Sequence, residues 1–250
     1  MLFRSVFLDP RTGEVLAMTS QPEFDPNDFT TGGTKRAQVL TDPTNPLLNR
    51  LIQGRYPPGS TFKVLMATAG LAEGIITPDF HVTCTGSKEF YGRVFMCDRK
   101  DGKGTAHGTL DVEHAIEKSC DVFFYTLASL MKIDTIRKYS DLLGLSGKTG
   151  IDLPNEIDSI VPSTEWKMKD AAAKHRPPSE GKWYPGETIS VGIGQGQVSV
   201  TPISLAVMVS TIANGGTIVS PHVVKAVDMG GGWTDLTARP PKSLFPIPEN

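Results

Sequence analysis

Hydrophobic and polar residues alternate near the start of the chain, and this period of two predicts a β-hairpin. The stretch SVFLDPRTGEVLAMTS places two β-rich runs on either side of a turn at residues 10–13. Elsewhere apolar residues recur every three or four positions, the spacing of a helix with one buried face. This pattern predicts a short helix around KRAQVL and longer helices over residues 60–73, 111–118, 122–143 and 201–214.

The segments between these elements are richer in glycine, proline and polar residues. Residues 77–108 are therefore predicted to be irregular, and residues 162–186 to form a polar connection. The stretch TIVSPHVVKAVDM predicts a further strand pair or an extended segment. The sequence contains no internal repeat and no low-complexity tract.

The composition is that of a globular protein with enough length for a hydrophobic core. The 250 residues are 39% hydrophobic and 21% charged, with a net charge of −2. The basic residues are scattered, which argues against nucleic acid as a partner. No apolar run reaches the roughly 18 residues that a membrane span requires, and the first residues lack the apolar core of a secretory signal.

One predicted helix begins with an unusual pair of polar residues, in the stretch RYPPGSTFKVLMATAG. Ser60 is suited to cap the helix, because its hydroxyl can accept from an unpaired amide of the first turn. Lys63 is harder to explain, since a lysine in the first turn faces the positive end of the helix dipole. Residues i and i+3 lie on one helix face, so the ammonium comes beside the hydroxyl. The pair is either a capped helix with an ordinary lysine or a nucleophile with its base.

A second motif, Ser119-Cys120-Asp121, lies at the predicted junction of two helices. Serine and aspartate are common helix caps, so this motif alone has a structural explanation. An S-x-x-K motif followed by a second serine motif is nevertheless typical of β-lactamases and penicillin-binding proteins.

Further segments around the two motifs also resemble this class of protein, and together they span nearly the whole chain. These segments, in order, are LDPRTGEVLAMTSQPEFDPN, NRLIQGRYPPGSTFKVLMATAGLAEGII, HGTLDVEHAIEKSCDVFFY, TGIDLPNE, WYPGETISVGIGQGQVSVTPISLAVMVSTIANGG and PHVV. With them the chain resembles the class B penicillin-binding proteins, the cell-wall D,D-transpeptidases, and most of all their elongation type, penicillin-binding protein 2. The second motif has Asp121 where many relatives carry asparagine.

The resemblance implies an α+β fold of the β-lactamase and transpeptidase type, with an antiparallel sheet that carries helices on both faces. It also implies a serine acyltransferase that needs no cofactor for catalysis. In that chemistry Ser60 is the nucleophile, Lys63 the base, Ser119 the proton relay and Asp121 the orienting group. The Ser60 amide supplies one donor of the oxyanion hole. The implied ligands are the stem peptides of peptidoglycan and the β-lactams.

For the full-length family the resemblance implies the periplasmic face of the bacterial inner membrane and a role in cell shape. It implies a membrane glycosyltransferase and cell-elongation scaffold proteins as partners. Residues 1–250 are expected to form an incomplete D,D-transpeptidase domain, without the N-terminal anchor and pedestal. The last sheet strands and the catalytic K-T-G region are expected after Asn250. As an isolated fragment the chain is expected to be weak or inactive.

The triplet Lys148-Thr149-Gly150 has the letters of that third motif, but it resembles the family's structural turn TGIDLP. We therefore expect no catalytic role for Lys148. A phosphate-binding loop is excluded as well, because it needs glycine at position 142, where the chain has leucine.

Two other functions remain alternatives at this level. A serine β-lactamase of the same fold needs a glutamate downstream of the nucleophile to activate water. The nearest match, NPLLN, has Asn45 in that place and lies upstream of Ser60. A non-catalytic family member would bind wall precursors or partners without turnover.

All three cysteines lie in or next to the glycine-rich region, together with one histidine. Cys84, Cys97, His107 and Cys120 have the spacing C-x12-C-x9-H-x12-C, which is looser than that of a zinc finger. Some elongation-type relatives resemble the chain in carrying a metal site here. Three thiolates and an imidazole would suit one structural zinc ion. A Cys84–Cys97 disulfide and free buried thiols are the alternatives, and the other four histidines are expected to be ordinary surface or core residues.

Overall fold

The structure is a computed structural model that describes residues 3–30, 33–98, 104–236 and 243–244. The described residues fall into two compact units. The first unit takes them from Met1–Tyr56, Leu143–Ser159 and Val200–Pro246, and the second takes them from Pro57–Leu142 and Ile160–Ser199.

Short strands and helices follow one another irregularly along the described part of the chain. The strands are β1 (Arg4–Leu8), β2 (Val15–Ser20), β3 (Val82–Cys84), β4 (Ser87–Phe90), β5 (Arg93–Met96), β6 (Gly108–Leu110), β7 (Thr217–Ile218), β8 (Ala226–Asp228), β9 (Trp233–Asp235) and β10 (Ser243–Leu244). The α-helices are α1 (Asn27–Thr30), α2 (Thr34–Thr41), α3 (Phe62–Ala72), α4 (Val112–Glu117), α5 (Asp121–Leu130), α6 (Ile133–Leu142), α7 (Thr164–Ala173), α8 (Pro185–Val191) and α9 (Pro202–Ala213).

The first unit is built on the hairpin of β1 and β2, which confirms the prediction from the alternating pattern. The antiparallel register runs from Arg4 opposite Ser20 to Leu8 opposite Val15. Helix α9 contacts β1 and also lies where the sequence predicts a helix. A small apolar core forms beside the hairpin from Leu51, Ile52, Ile151 and Ile203, against which Val6, Val15, Met18 and Leu153 pack.

The second unit packs around α3 and α5, which contact each other. Both helices are predominantly apolar, and their fully buried side chains include Phe62, Leu65, Met66, Phe123, Phe124 and Leu127. Helix α6 contacts α3, and α8 contacts α5. Removing this apolar surface from water is the main source of stability for the pair. The packing therefore fixes the positions of the residues at the beginning of each helix.

The prediction of one helix over residues 122–143 is wrong, because the segment forms α5 and α6. Met131 has an extended backbone, with φ of −104° and ψ of 145°. This conformation ends α5 at Leu130 although the apolar period continues past it. The short loop lets α6 turn and contact α3.

The prediction that residues 77–108 are irregular is also wrong for the described part of that segment. Strand β3 pairs with β6 and β4 with β5, both antiparallel, whereas residues 99–103 lie outside the described residues. Similarly, the predicted connection at residues 162–186 contains α7, which Ser163 caps by accepting from the Trp166 amide. Within the described ranges the strands pair two by two, and the combination of helices with small antiparallel sheets confirms the α+β class.

Candidate active site

Ser60 and Lys63 lie at the beginning of α3, in the second unit. The prediction that Ser60 caps an α-helix is wrong, because it lies in a 3-10 turn, Gly59–Thr61, that leads into α3. Its hydroxyl instead accepts a hydrogen bond from Ser119 Oγ at 2.8 Å. Ser60 is exposed, whereas the Lys63 side chain is only 2% exposed. A reachable hydroxyl therefore lies close to a buried amine.

A close backbone contact holds the turn that carries Ser60. The Gly59 amide donates to the Gly194 carbonyl at 3.0 Å. Gly194 has a left-handed backbone, and a Cβ there would lie 2.4 Å from the Gly59 oxygen and 2.8 Å from Phe62 Cβ. Only glycine fits such a position without displacement. Sequence reasoning missed this contact, although the GIGQG stretch contains the glycine that makes it.

The second motif joins α4 to α5 and presents a second hydroxyl to the first. Ser119 has a φ of +53°, a left-handed conformation that is uncommon for serine. The turn aims its hydroxyl at Ser60, and no side-chain capping bond is made at the beginning of α5. The alternative that Ser119 and Asp121 are simply helix caps therefore fails.

The Lys63 ammonium is surrounded by acceptors. Its Nζ donates to the Ser119 carbonyl at 2.8 Å, to Ser119 Oγ at 3.1 Å and to Asp121 Oδ1 at 2.5 Å. The Phe124 ring lies on a further side, with its centroid 5.6 Å from Nζ. A buried charge is costly unless it is paired and hydrogen-bonded. Asp121 supplies the opposite charge, and Ser119 supplies the remaining acceptors.

Asp121 is held from its other side by a group that the sequence did not predict. Its Oδ2 accepts from the Asp98 amide at 3.3 Å. A backbone donor has no signature in the sequence, so this contact could not have been found there. The four predicted catalytic residues thus come together as one hydrogen-bonded constellation, Ser60–Ser119–Lys63–Asp121.

The Lys148-Thr149-Gly150 triplet belongs to the first unit and forms a fixed turn. Thr149 donates to Glu156 Oε1 through its amide at 2.7 Å and its hydroxyl at 2.6 Å, and the Gly150 amide donates to Oε2 at 2.9 Å. Glu156 is 8% exposed. These contacts account for the triplet as a structural element.

The three cysteines and His107 come together in the second unit. They are the residues for which the resemblance implies a metal site. The ligand atoms of Cys84, Cys97, His107 and Cys120 all lie within 4.8 Å of one another. All three cysteines are buried and free. The Cys97 and Cys120 sulfurs are 3.8 Å apart, and His107 Nδ1 lies 3.4 Å from Cys97 Sγ and 3.8 Å from Cys84 Sγ.

These distances can be compared with those of a tetrahedral zinc site. With Zn–S bonds of about 2.3 Å and Zn–N bonds of about 2.1 Å, a tetrahedron places sulfurs about 3.8 Å apart and sulfur and nitrogen about 3.6 Å apart. The residues present fit such an ion in donor type, number and spacing.

The thiols of Cys97 and Cys120 differ in pKa. The hydrogen bond between the two thiols lowers the pKa of Cys97 to about 5, and the same bond together with burial raises the pKa of Cys120. Zinc binds thiolates rather than thiols, so a thiolate at Cys97 suits this role.

Residues 5–244 match the family described as the penicillin binding protein transpeptidase domain, and the chain therefore belongs to this family. It is 42% identical over 223 residues to the peptidoglycan D,D-transpeptidase MrdA of Acinetobacter baumannii, a match that covers 88% of this chain and 32% of that protein. The predicted resemblance to the elongation type is confirmed. The chain spans about a third of the length of the curated relatives it matches.

Solved structures agree with this membership. Pseudomonas aeruginosa PBP2 in complex with WCK 5153 is 37% identical with a TM-score of 0.82, covering 98% of this chain and 53% of that chain. In the complex between PBP2 and MreC from Helicobacter pylori, a chain is 31% identical with a TM-score of 0.79, covering 93% of this chain and 41% of that chain. Across the described ranges, we find no helix with both the length and the apolar character that crossing a bilayer demands.

Proposed function

We propose that this chain is the catalytic part of a peptidoglycan D,D-transpeptidase, which cross-links stem peptides through a serine acyl-enzyme and is acylated by penicillins. The observation that supports this most directly is the hydrogen-bonded constellation Ser60–Ser119–Lys63–Asp121 in a member of the transpeptidase family. A free serine is a weak nucleophile and needs a base within reach. Here the second serine connects the exposed hydroxyl to the buried amine.

In the first step Ser60 Oγ attacks the carbonyl carbon of the penultimate D-alanine of a stem peptide. The hydroxyl proton passes through Ser119 Oγ to Lys63 Nζ, which can act as the base once its ammonium has given up a proton. The bond to the terminal D-alanine breaks, the proton returns along the same path to its amine, and an ester remains on Ser60. The Ser60 amide is one donor to the oxyanion that forms, and Asp121 orients Lys63.

In the second step the amine of another stem peptide attacks the ester. The amine loses a proton through the same relay, the bond to Ser60 Oγ breaks, and the serine regains its proton. The products are a peptide cross-link and the free enzyme, so no cofactor takes part.

The setting of the whole protein is part of the proposal. The resemblance supports a longer protein at the periplasmic face of the bacterial inner membrane, with a membrane glycosyltransferase as a partner. A Helicobacter pylori relative has been solved in complex with MreC, which supports a scaffold protein of cell elongation as a second partner. The experiments below therefore use the full-length protein that contains this sequence.

Labelling with a fluorescent penicillin tests the function. Stable labelling that Ser60→Ala abolishes, with the fold intact by circular dichroism, is the expected result. Lys148→Ala is the control, because this lysine lies in the structural turn, and it should label as the parent does. Rapid release of the label would instead indicate a β-lactamase, and absence of label in the parent would indicate a non-catalytic member.

We also propose that Cys84, Cys97, His107 and Cys120 hold one structural zinc ion. Their burial, donor types and spacing support a closed site in which the protein supplies all four ligands. Bound there, zinc would supply structural cross-linking between the short strands and α5 rather than chemistry on the substrate. The cluster replaces apolar packing in a glycine-rich region, where small cores often depend on a metal.

Elemental analysis of protein purified without chelator under reducing conditions tests the metal. The parent should contain about one zinc per chain, and Cys97→Ser and His107→Ala should each lose it. His81→Ala is the matched control, since this histidine lies outside the cluster. Absence of metal together with a mass lower by two hydrogens would favour the disulfide. Absence of metal with three titratable thiols would favour free cysteines.

A further inference from the structure

A cleft in the same unit as the catalytic constellation has no role in the chemistry described above. It lies between the β4–β5 hairpin and the beginning of α8 and has a volume of about 360 Å³. Aromatic rings from both sides line it: Tyr91 at the hairpin turn, and Trp183 and Tyr184 just before α8. Tyr91 is 63% exposed and Tyr184 is 48% exposed. We call this the aromatic cleft.

The α8 side of the aromatic cleft is held rigidly. Trp183 Nε1 donates to Thr188 Oγ1 at 2.9 Å, and the Tyr184 amide donates to Glu187 Oε2 at 2.8 Å. The largely buried Lys167 donates to Glu187 at 2.5 Å. The same ammonium lies 5.3 Å from the Trp183 ring centroid and 5.7 Å from that of Tyr184. An ion pair between a largely buried lysine and a partly buried glutamate, next to the half-buried Trp183 ring and the exposed Tyr184 ring, preorganises a binding surface. Preorganisation lowers the entropic cost of binding.

The charge of the aromatic cleft is positive. Arg93 lines it, and among the described residues its guanidinium has no carboxylate partner and rests 5.3 Å from the Phe95 centroid. The carboxylate in the lining belongs to Glu187, whose oxygens are occupied by Lys167, the Tyr184 amide and Gln197 Nε2. An anionic group entering the cleft therefore finds an unpaired guanidinium and no unpaired negative charge.

A short loop connects the aromatic cleft with the nucleophile. Gly196 and Gln197 line the cleft, and Gly194, two residues earlier, accepts from the Gly59 amide next to Ser60. A ligand that extends along this loop can reach both places, whereas a compact ligand at Ser60 cannot. This continuity points to a polymeric substrate rather than to an unrelated molecule.

We propose that the aromatic cleft binds the glycan portion of the peptidoglycan strand, together with an acidic group at the base of its stem peptide. A pyranose ring has an apolar C–H face that stacks on an aromatic ring, and polar edges that need hydrogen-bonding partners. Tyr91 and Tyr184 provide the faces, Gln197 provides edge contacts, and Arg93 pairs with the carboxylate. The inference rests on the proposed transpeptidase function and specifies how that enzyme holds its strand.

The test compares a soluble uncross-linked peptidoglycan strand, which reaches the aromatic cleft, with penicillin, which reacts at Ser60 and does not reach it. Tyr91→Asn removes the ring and keeps a residue that tolerates the left-handed turn, and Arg93→Gln removes the charge. Trp233→Ala is the matched control, because it removes an aromatic side chain of similar exposure from the other unit. Three quantities are measured for each variant: the rate of acylation by penicillin, the Tm, and the KM for the soluble uncross-linked strand.

Both cleft variants should be acylated by penicillin at the parental rate. Their KM for the strand should be about tenfold higher, which corresponds to about 1.4 kcal/mol of lost binding free energy. The parent should also prefer strands with free stem carboxylates over amidated ones, and Arg93→Gln should lose this preference. Unchanged KM in both variants would overturn the cleft proposal and leave the transpeptidase function standing. Equal loss of penicillin acylation and strand use would overturn it as well, because the residues would then serve the fold or the chemistry. A parent that is never acylated would instead remove the proposed function itself.

Discussion

Replacing Gly194 with alanine should slow acylation of Ser60 without touching any catalytic side chain. The new Cβ would lie 2.4 Å from the Gly59 oxygen, 2.7 Å from the Gly59 nitrogen and 2.8 Å from Phe62 Cβ. Two of these neighbours are backbone atoms and the third is fixed to a buried helix. None of them can swing aside as the end of a long side chain could.

The size of the effect follows from the displacement. Real Cβ contacts begin at 3.0–3.4 Å, so the Gly59 carbonyl must retreat by about 0.6–1.0 Å from the 2.4 Å position. Gly59 is adjacent to Ser60, whose hydroxyl lies 2.8 Å from Ser119 Oγ. A misplacement of about 1 Å can cost roughly 10²-fold in rate. We therefore expect the acylation rate constant to fall by about 10- to 100-fold, with a smaller change in the affinity for penicillin.

The assay is the time course of labelling at several penicillin concentrations, which separates affinity from the acylation step. Gly74→Ala is the matched control. Gly74 follows the end of α3 with a φ of +65°, and a Cβ added there would have nothing within 4 Å. Both variants place alanine in a left-handed conformation, at a cost of about 1–2 kcal/mol, but only Gly194→Ala displaces the turn. Similar acylation constants for the two variants would refute the argument that this contact positions Ser60.

Two further predictions concern other parts of the molecule. Glu156→Ala should lower the free energy of unfolding by about 3 kcal/mol, because three donors of Thr149 and Gly150 lose their acceptor in a buried turn. Urea denaturation measures the free energy of unfolding, and a loss below about 1 kcal/mol would contradict the prediction. The pKa of His114 should be raised above its ordinary value, because hydrogen bonding to Asp111 favours the imidazolium. The stabilisation of the folded state by this exposed pair is present at pH values below the ordinary histidine pKa. It is lost as the pH rises through the pKa of the folded state. Chemical-shift titration checks the shift, and Asp111→Asn should remove it.

The sequence predicts best those elements whose signals are local. The alternation around residues 10–13 predicts a hairpin, and the Thr-Pro pair at the beginning of α9 predicts a helix cap. Each signal lies within a few residues, and both elements form as expected. The roles of Ser60, Lys63, Ser119 and Asp121 follow from the family resemblance, which connects residues that composition alone cannot connect. The sequence places the cysteines and His107 in one region, and the resemblance implies a metal site there. The distances between their ligand atoms depend on how the strands pair.

What sequence reasoning missed depends on contacts between distant residues or on backbone geometry. The end of α5 at Leu130 results from one extended residue, Met131, inside a continuous apolar pattern. Strands β3 to β6 are three or four residues long, too short to establish a period of two. The amide of Asp98 and the close approach at Gly194 belong to the main chain, which every sequence shares. Such contacts decide the geometry of the site without leaving a pattern in residue types.

Two segments of backbone join the cysteine cluster to the catalytic constellation. Cys120 lies between Ser119 and Asp121, and Cys97 precedes Asp98, whose amide donates to Asp121. Consecutive Cα atoms are about 3.8 Å apart across a planar peptide. A displacement of the backbone at either cysteine therefore reaches a residue that belongs to the constellation or contacts it.

Cys84 differs, because it lies on β3 and its neighbours pair with β6 rather than with the constellation. We expect Cys84→Ser and Cys97→Ser to weaken metal binding alike, since each removes one of four ligands. Penicillin acylation should fall further in Cys97→Ser, because that change also alters the residue next to Asp98, whose amide holds Asp121. Measuring zinc content and acylation rate in both variants separates the two effects. Acylation at the parental rate in both variants, despite their loss of metal, would show that the cluster and the constellation are mechanically independent.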